Sequence, residues 1–478
     1  MDKSTKKLMS GSAVYFMGNA LTQLISLLLM RFVTGNITPE EYGFFNLVTT
    51  ISNLVIPFVT LQIADAVFKF VLKAENEEEK KPYFTICYLI SFASVGVIIG
   101  GTFIISEFIF PIQNTLLVSI YVASYALLGI YYKIVRCLNR NTVFVTGNMI
   151  KTVLFLALEI LLISTLDMGL EALLLAHIIS IIFFLIYAEI KVHALRYFDL
   201  STLKRSVFTT MMRFSLPLMP NAAFWWLTSS VNSVAVSARL GVGVNGIYSV
   251  SGKFSSVLAM VTGVLNMAWQ DTAIADYGTK EFSTFLTKMF NTFVKLIFSA
   301  IAVIIPFIAL VIPYIIDPTY YDAIPYAPFL LLAAGISSMS GFSAQIYTGQ
   351  GKTQRILITS ILGMVANILV LILLLDKVGL WAAVFGSLAA DTVLFLTRAI
   401  GARKEFAKGI EFWKFAVVAL MLVVSFVLYF ASSPILNLIW FFVSAALAVI
   451  FNLQFIKDMF TMIFGTLFKK KKEKERVE

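Results

Sequence analysis

The residues of this sequence that could do chemistry are charges set inside apolar stretches. Cations stand at Arg31, Lys69, Arg239 and Lys253, and acids at Asp65, Glu159 and Asp391, with Arg398 seven residues after the last. Ionisable groups are costly in hydrocarbon and mark substrate or ion pathways. Asp65 and Lys69 are four apart, hence neighbours on one helix face that can neutralise each other. Lys151 and Glu159, and Asp391 and Arg398, also fall close to one face of their helices. A carboxyl buried in a dry site takes up a proton. Glu159 or Asp391 could therefore couple movement of a substrate to an ion gradient; the other reading is that they only balance nearby cations. Arg31 and Arg239 lie near span ends, and two readings stay open for them: lining a polar path, or snorkelling to the headgroups. Lys253 reads as one to two turns inside its span, with Ser249, Ser251, Ser255 and Ser256 around it, so a polar cavity is favoured there over snorkelling, which stays the alternative.

These charges border the most polar of the apolar stretches, residues 213–254. Pro217 and Pro220 fall in its first turns, where each removes a backbone donor and clashes with the preceding turn. Asn221, Thr228, Ser229, Ser230, Asn232, Ser233 and Ser237 give the helix a polar stripe. A helix surrounded by lipid would not carry so many amides and hydroxyls, so this one is expected to face other helices or a wet cavity. Asn221 and Asn232 are candidate substrate contacts.

Composition sets the class. Of 478 residues 59% are hydrophobic and only 13% charged, about half the charge of soluble domains, and mean hydropathy is +0.88. The chain divides into about fourteen spans of bilayer length. They lie near 11–34, 43–71, 83–105, 112–135, 142–165, 168–190, 209–238, 246–270, 290–316, 324–349, 354–375, 379–400, 412–431 and 434–456. The first span is too long for a signal peptide and is expected to remain. This is an all-α polytopic membrane protein.

Lys and Arg give the orientation. Loops on the N-terminal side carry Lys73, Lys80, Lys81, Arg136, Arg140, Lys191, Lys204, Lys280, Lys352, Arg355, Arg403, Lys404 and others, and the tail adds Lys469 to Lys472. The opposite loops carry only Arg31, Arg239 and Lys377. Both termini are therefore expected in the cytoplasm. The formal net charge of +10 is a topology signal with a membrane-surface tail, and not a nucleic-acid footprint. No loop exceeds roughly 20 residues, the length of a single membrane span, so a soluble catalytic domain has no room. Cys87 and Cys137 suggest neither a disulfide framework nor a metal site, and His177 and His193 have no partner at ligand spacing. No catalytic residue, no metal ligand set and no cofactor is expected.

A weak repeat relates the two halves. Arg31, a short turn and Tyr42-Gly43 correspond to Arg239, a Gly-rich turn and Gly246-Ile247-Tyr248. Six spans separate the units, so the repeats share one orientation, related by an axis along the membrane normal. The expected organisation is an N-lobe (1–197), a C-lobe (198–402), each of six helices around a central cavity, and two further helices with the basic tail (403–478).

The segments ITPEEYGFFNL at 37–47, SLPLMPNAAFWWL at 215–227, GIYSVSGKF at 246–254 and AWQDTA at 268–273 resemble the polysaccharide (Wzx-type) flippases. These belong to the multidrug/oligosaccharidyl-lipid/polysaccharide exporter superfamily. The resemblance implies a bacterial cytoplasmic-membrane flippase for undecaprenyl-pyrophosphate-linked repeat units in capsule, exopolysaccharide or O-antigen synthesis. It also implies membrane lipids, a polysaccharide polymerase and a chain-length regulator as partners, and H+ or Na+ as a coupling ion. Many relatives carry an Asp-Arg pair where this chain has Asn232-Ser233, so that pairing is not carried over. A pyrophosphate needs cations and a glycan needs hydrogen-bonding groups, which Arg31, Lys69, Arg239, Lys253, Asn221 and Asn232 would supply. Two neighbouring readings are a flippase for peptidoglycan precursors or teichuronic-type lipids, and a cation-coupled multidrug antiporter, whose cavity would be acidic. A membrane polymerase or acyltransferase would need an outer loop or an intramembrane His/Asp constellation, and neither is present.

Overall fold

A computed structural model of the chain describes residues 30–474 except 167, 276, 280 and 351. Most of the first expected span (11–34) lies outside the described residues, as does Arg476. Among the described residues there are seventeen α-helices and no strand. Eleven of the helical segments are long and apolar enough to cross a membrane. The protein is a multi-pass membrane protein, in line with the fourteen or so spans expected.

The chain forms two compact units, Met1–Val250 and Ser251–Glu478. The first holds α1 (Met30–Asn36), α2 (Pro39–Val59), α3 (Ile63–Lys73), α4 (Glu77–Phe108), α5 (Thr115–Cys137), α6 (Asn141–Leu166) and α7 (Leu170–Val192). After two short 3-10 turns it adds α8 (Arg205–Ser215), α9 (Leu218–Leu240) and α10 (Val242–Ser251). Helices α8 and α9 pack against α2, α3 and α4, so the compact unit ends at a different place from the repeat.

Local chemistry sets the helix starts. Thr38 and Glu41 form a capping box ahead of α2, with Pro39 in the first turn, where its missing N–H costs nothing. The other Glu41 oxygen accepts from the Leu170 N–H at 3.1 Å and ties the start of α2 to that of α7.

Three expected spans are broken. The stretch 43–71 is not one helix: Leu61 and Gln62 take positive φ (51° and 50°), so α2 ends at Val59 and α3 restarts at Ile63. Pro57 removes one donor just before this break. The stretch 209–238 divides at Leu216-Pro217 into α8 and α9. The stretch 246–270 divides at Gly252, and no Gly-rich turn precedes it, because α10 follows α9 after Gly241 alone. Helices α9 and α11 (Lys253–Ala275) are each 23 residues long, but their polar residues keep them below the hydropathy of the eleven.

The second unit continues with α12 (Phe282–Ile315), α13 (Ala327–Gly349), α14 (Thr353–Val378), α15 (Trp381–Ala402), α16 (Phe412–Phe430) and α17 (Pro434–Lys474). Helix α13 is its centre, packed between α11 and α15. The Trp269 ring stacks on Phe342 at 4.6 Å while its indole N–H donates to the Phe342 carbonyl. The last two helices dock on α12 through buried polar bonds. Ser425 donates to the Ala302 carbonyl, Trp440 donates to Ser425, and Asn452 donates to Ser299 at 3.0 Å.

Candidate functional site

Helix α2 carries Asn46, Thr49, Thr50 and Asn53, a spacing that puts all four on one helix face. Each meets a partner from another helix of the first unit. Asn46 donates to Ser233 at 3.1 Å, and Ser233 donates to Asn245 at 2.6 Å. Thr49 and Tyr121 share a hydrogen bond of 3.0 Å, and Tyr125 donates to Asn53 at 3.3 Å. The Thr50 carbonyl accepts from the Trp226 indole at 2.6 Å. Tyr121 and Tyr125, one turn apart, stack with 7° between their planes. Asn53 is exposed although it lies within a membrane-length helix. An exposed amide at that depth belongs against water or a polar ligand, not lipid. Hydroxyls, amides and aromatic faces make a surface that suits sugar rings.

Above this face α2 and α10 cross backbone to backbone. A side chain on Gly43 would collide with the Val242 carbonyl, and one on Gly246 with that of Pro39. Each glycine thus sits over the carbonyl four residues before the other. Asn245, fully buried, donates to the Gly43 carbonyl at 3.3 Å and fastens the crossing. The two motifs of the sequence repeat are therefore in contact with each other.

Charges lie further along the same unit. Asp65 pairs with Lys133 of α5 at 2.7 Å, and not with Lys69 as helical spacing suggested. Lys69 instead places its ammonium 3.8 Å from the centre of the Phe214 ring, a cation–π contact. Lys133 and Arg136 both approach the face of Phe68. Among the other expected residues, Arg31 and Arg239 are exposed, and Asn232 is buried and donates to Tyr248 at 3.3 Å. Asn221 lies in the first turn of α9, its side chain outside the described ones. Glu159 is buried in α6 at 4% exposure.

In the second unit Lys253 is the first residue of α11, half-buried, and not one to two turns inside a continuous span, because Gly252 interrupts the helix. Arg398 is buried, 7% exposed, and its donors go to residues other than Asp391. Its guanidinium donates to Ser340 of α13 at 2.8 Å and to Thr359 and Ser360 of α14, both at 3.0 Å. It also reaches the Ser340 carbonyl at 3.2 Å. Arg398 is thus a fork joining three helices. Ser337 of α13 is a near neighbour of Asp391. Glu411, between α15 and α16, pairs with Lys295 and Lys414, both at 2.8 Å. Burial works against its charge, but these two ammonium groups hold its carboxyl below the ordinary range. Among the described residues no group of three His, Cys, Asp or Glu could hold a metal ion.

The α2 partners Tyr121, Tyr125 and Asn245, and Lys133 opposite Asp65, were not singled out from the sequence. A signal for the first two exists: Thr49 and Asn53 are four apart, as are Tyr121 and Tyr125. Lys133 and Asn245 gave none, since only tertiary packing brings them in.

The chain belongs to the polysaccharide biosynthesis protein family, whose model matches residues 8–274. Its fold is that of the multidrug/oligosaccharidyl-lipid/polysaccharide superfamily of transporters and flippases. The lipid II flippase MurJ in an inward closed conformation is 15% identical, with 95% of this chain and 100% of that chain covered and a TM-score of 0.71. An inward-facing multidrug resistance MATE family transporter is 12% identical, with 84% and 98% covered and a TM-score of 0.62. The bent form of the Vibrio cholerae MATE transporter VcmN is 15% identical, with 88% and 100% covered and a TM-score of 0.51. No curated protein matches. These structural neighbours are two transporters and a flippase.

Proposed function

We propose that this protein is a flippase that moves lipid-linked oligosaccharide repeat units, carried on an undecaprenyl pyrophosphate, across the bacterial cytoplasmic membrane. The observation that carries the proposal is the α2 face. Asn46, Thr49, Thr50 and Asn53 meet Ser233, Tyr121, Trp226 and Tyr125 inside an apolar span, with Asn53 exposed. Such a surface offers hydrogen bonds and ring faces without net charge. A glycan needs both, whereas a cationic drug would need carboxylates. Lys69, Lys133, Arg31, Arg239 and Lys253 are the cations that a pyrophosphate could draw on, each exchanging any present contact for phosphate oxygens. The match of more than half the chain to a polysaccharide biosynthesis family supports a glycan-bearing cargo.

In this reading both termini are cytoplasmic, the repeats form the lobes, and the Gly43–Gly246 crossing closes one end of the path. A polymerase and a chain-length regulator act downstream, and Glu159 or Asp391 is the place for a coupling H+ or Na+. The test is loss of the gene in its own host. Lipid-linked units of complete structure should accumulate on the cytoplasmic leaflet. Accumulation of an incomplete unit would indicate an enzyme instead. Accumulation of a peptidoglycan precursor would redirect the reading to that neighbouring substrate.

A further inference from the structure

One end of the second unit holds a basic cleft that the glycan-binding argument does not use. The turn between α13 and α14 supplies Lys352, the first turn of α14 supplies Arg355, and the turn after α15 supplies Arg403 and Lys404. The cleft measures about 420 Å³, within the roughly 300–1,000 Å³ of small-ligand sites. Its one acid is Glu405, whose carboxylate already accepts from Gln350 at 3.0 Å and from Tyr277 at 3.5 Å. Among the described residues none of the four cations lies in an ion pair. Lys352, Arg355, Arg403 and Lys404 are all exposed, and Arg355 has only the Tyr347 ring beneath it, 5.9 Å away. Four positive charges against one negative leave the cleft with a net charge of about +3.

The surroundings say what kind of anion it would take. Ile400 lines the cleft at 60% exposure, and Leu357, Ile358 and Leu396 near it are 52%, 56% and 48% exposed. Both α14 and α15 are membrane-length helices, so this apolar surface faces acyl chains. The cleft itself sits where the spans end. A cationic pocket at the headgroup level that opens onto lipid-facing side chains matches an amphiphile with a phosphate head. A soluble phosphate would make no use of the apolar edge. The cleft lining carries nothing like the hydroxyl and aromatic array of α2 with which to hold a glycan.

We propose that this cleft binds the phosphodiester headgroup of a resident anionic membrane phospholipid, with the acyl chains lying along α14 and α15. Arg355 and Arg403 supply planar forks for phosphate oxygens, and Lys352 and Lys404 supply point charges. The bound lipid would hold the turn after α15 against the start of α14. This proposal stands independently of the transported cargo.

The test reads lipid retention and needs no transport. The purified full chain is placed in phosphatidylcholine nanodiscs doped with cardiolipin, and bound lipid is measured by native mass spectrometry. The K352Q/R355Q and R403Q/K404Q variants change only exposed residues. The parent should retain cardiolipin at least tenfold over phosphatidylcholine, and each double variant should lose most of that preference. The R355K/R403K variant should keep part of it. Equal retention by parent and both Gln variants would overturn the assignment. Competition separates the sources of phosphate. Glycerol phosphate at the same concentration should not displace cardiolipin; if it does, the site is one for soluble phosphate. If an undecaprenyl diphosphate displaces cardiolipin more than tenfold more readily than phosphatidylglycerol does, the site belongs to the cargo and the resident-lipid proposal fails.

Discussion

Replacing Gly43 by Ala tests whether the α2–α10 crossing is as close as the structure has it. The added methyl carbon would fall well inside the 3.0 Å below which such contacts are not tolerated, against the backbone of Val242 and the N–H of Gly246. Backbone cannot swing away as a side-chain tip can, so the two helices must part by about 1 Å. A gap of that size forfeits a quarter to a half of the local dispersion energy. It also stretches the bond from Asn245 to the Gly43 carbonyl, already 3.3 Å long, beyond useful length. Overpacking of this kind costs about 1–3 kcal/mol, and a stranded buried amide about 1–3 kcal/mol more. A loss of about 2–6 kcal/mol is expected. Gly101 is the control: it lies in α4 with nothing within 4 Å of its missing side chain. There Ala should stabilise by up to about 1 kcal/mol through helix propensity. Thermal unfolding of the detergent-purified protein reads the stability. Labelling of a cysteine placed at Ser233, 8% exposed beneath the crossing, reads whether the helices have parted. Gly43→Ala should unfold earlier and label faster, and Gly101→Ala should do neither. If the two behave alike, the close crossing is refuted.

Three other sets of substitutions probe the charges. A double-mutant cycle between Asp65 and Lys133 should give a coupling of about 0.5–2 kcal/mol in unfolding, while the cycle between Asp65 and Lys69 should be near zero; the reverse pattern would restore the pairing expected from sequence. Arg398→Lys should lower stability by about 2 kcal/mol or more, because one ammonium cannot reach Ser340, Thr359 and Ser360 together; an unchanged melting curve would show that the fork is dispensable. Lys253→Ala and Lys253→Gln should cost about ten- to a hundred-fold in apparent affinity, the worth of one charge-assisted bond of about 1.5–3 kcal/mol, and Lys253→Arg should retain much of it. Surface glycan at equal protein level is the readout, and full activity in the Ala variant would leave Lys253 a headgroup anchor.

How far the sequence could be read depends on the range of the interaction that decides each feature. Membrane class and span count follow from composition summed over twenty-residue windows, and no single contact can change them. The repeat around Tyr42-Gly43 and Gly246-Ile247-Tyr248 was visible, but not that the two glycines lie against each other. Pro217 announced the break before α9. The break at Leu61-Gln62 has only Pro57 ahead of it as a marker, since neither residue favours a positive φ. Helical spacing correctly put Asp65 and Lys69 on neighbouring positions. It could not show Lys133 arriving from α5, 68 residues away, to take the carboxylate. Arg398 drew attention as an intramembrane cation, and its hydroxyl partners come from helices that no local pattern connects to it.

The most direct measurement is translocation in proteoliposomes that hold a lipid-linked oligosaccharide and this protein alone. A membrane-impermeant glycosidase added outside trims only the units in the outer leaflet. With the protein present the trimmed fraction should rise towards completion, while protein-free vesicles should stop at their outer-leaflet share. Replacing Tyr125 by Ala should slow the rise by removing a ring face and the hydrogen bond to Asn53. A trimmed fraction that stays at the protein-free level, with intact vesicles and folded protein, would contradict the flippase assignment.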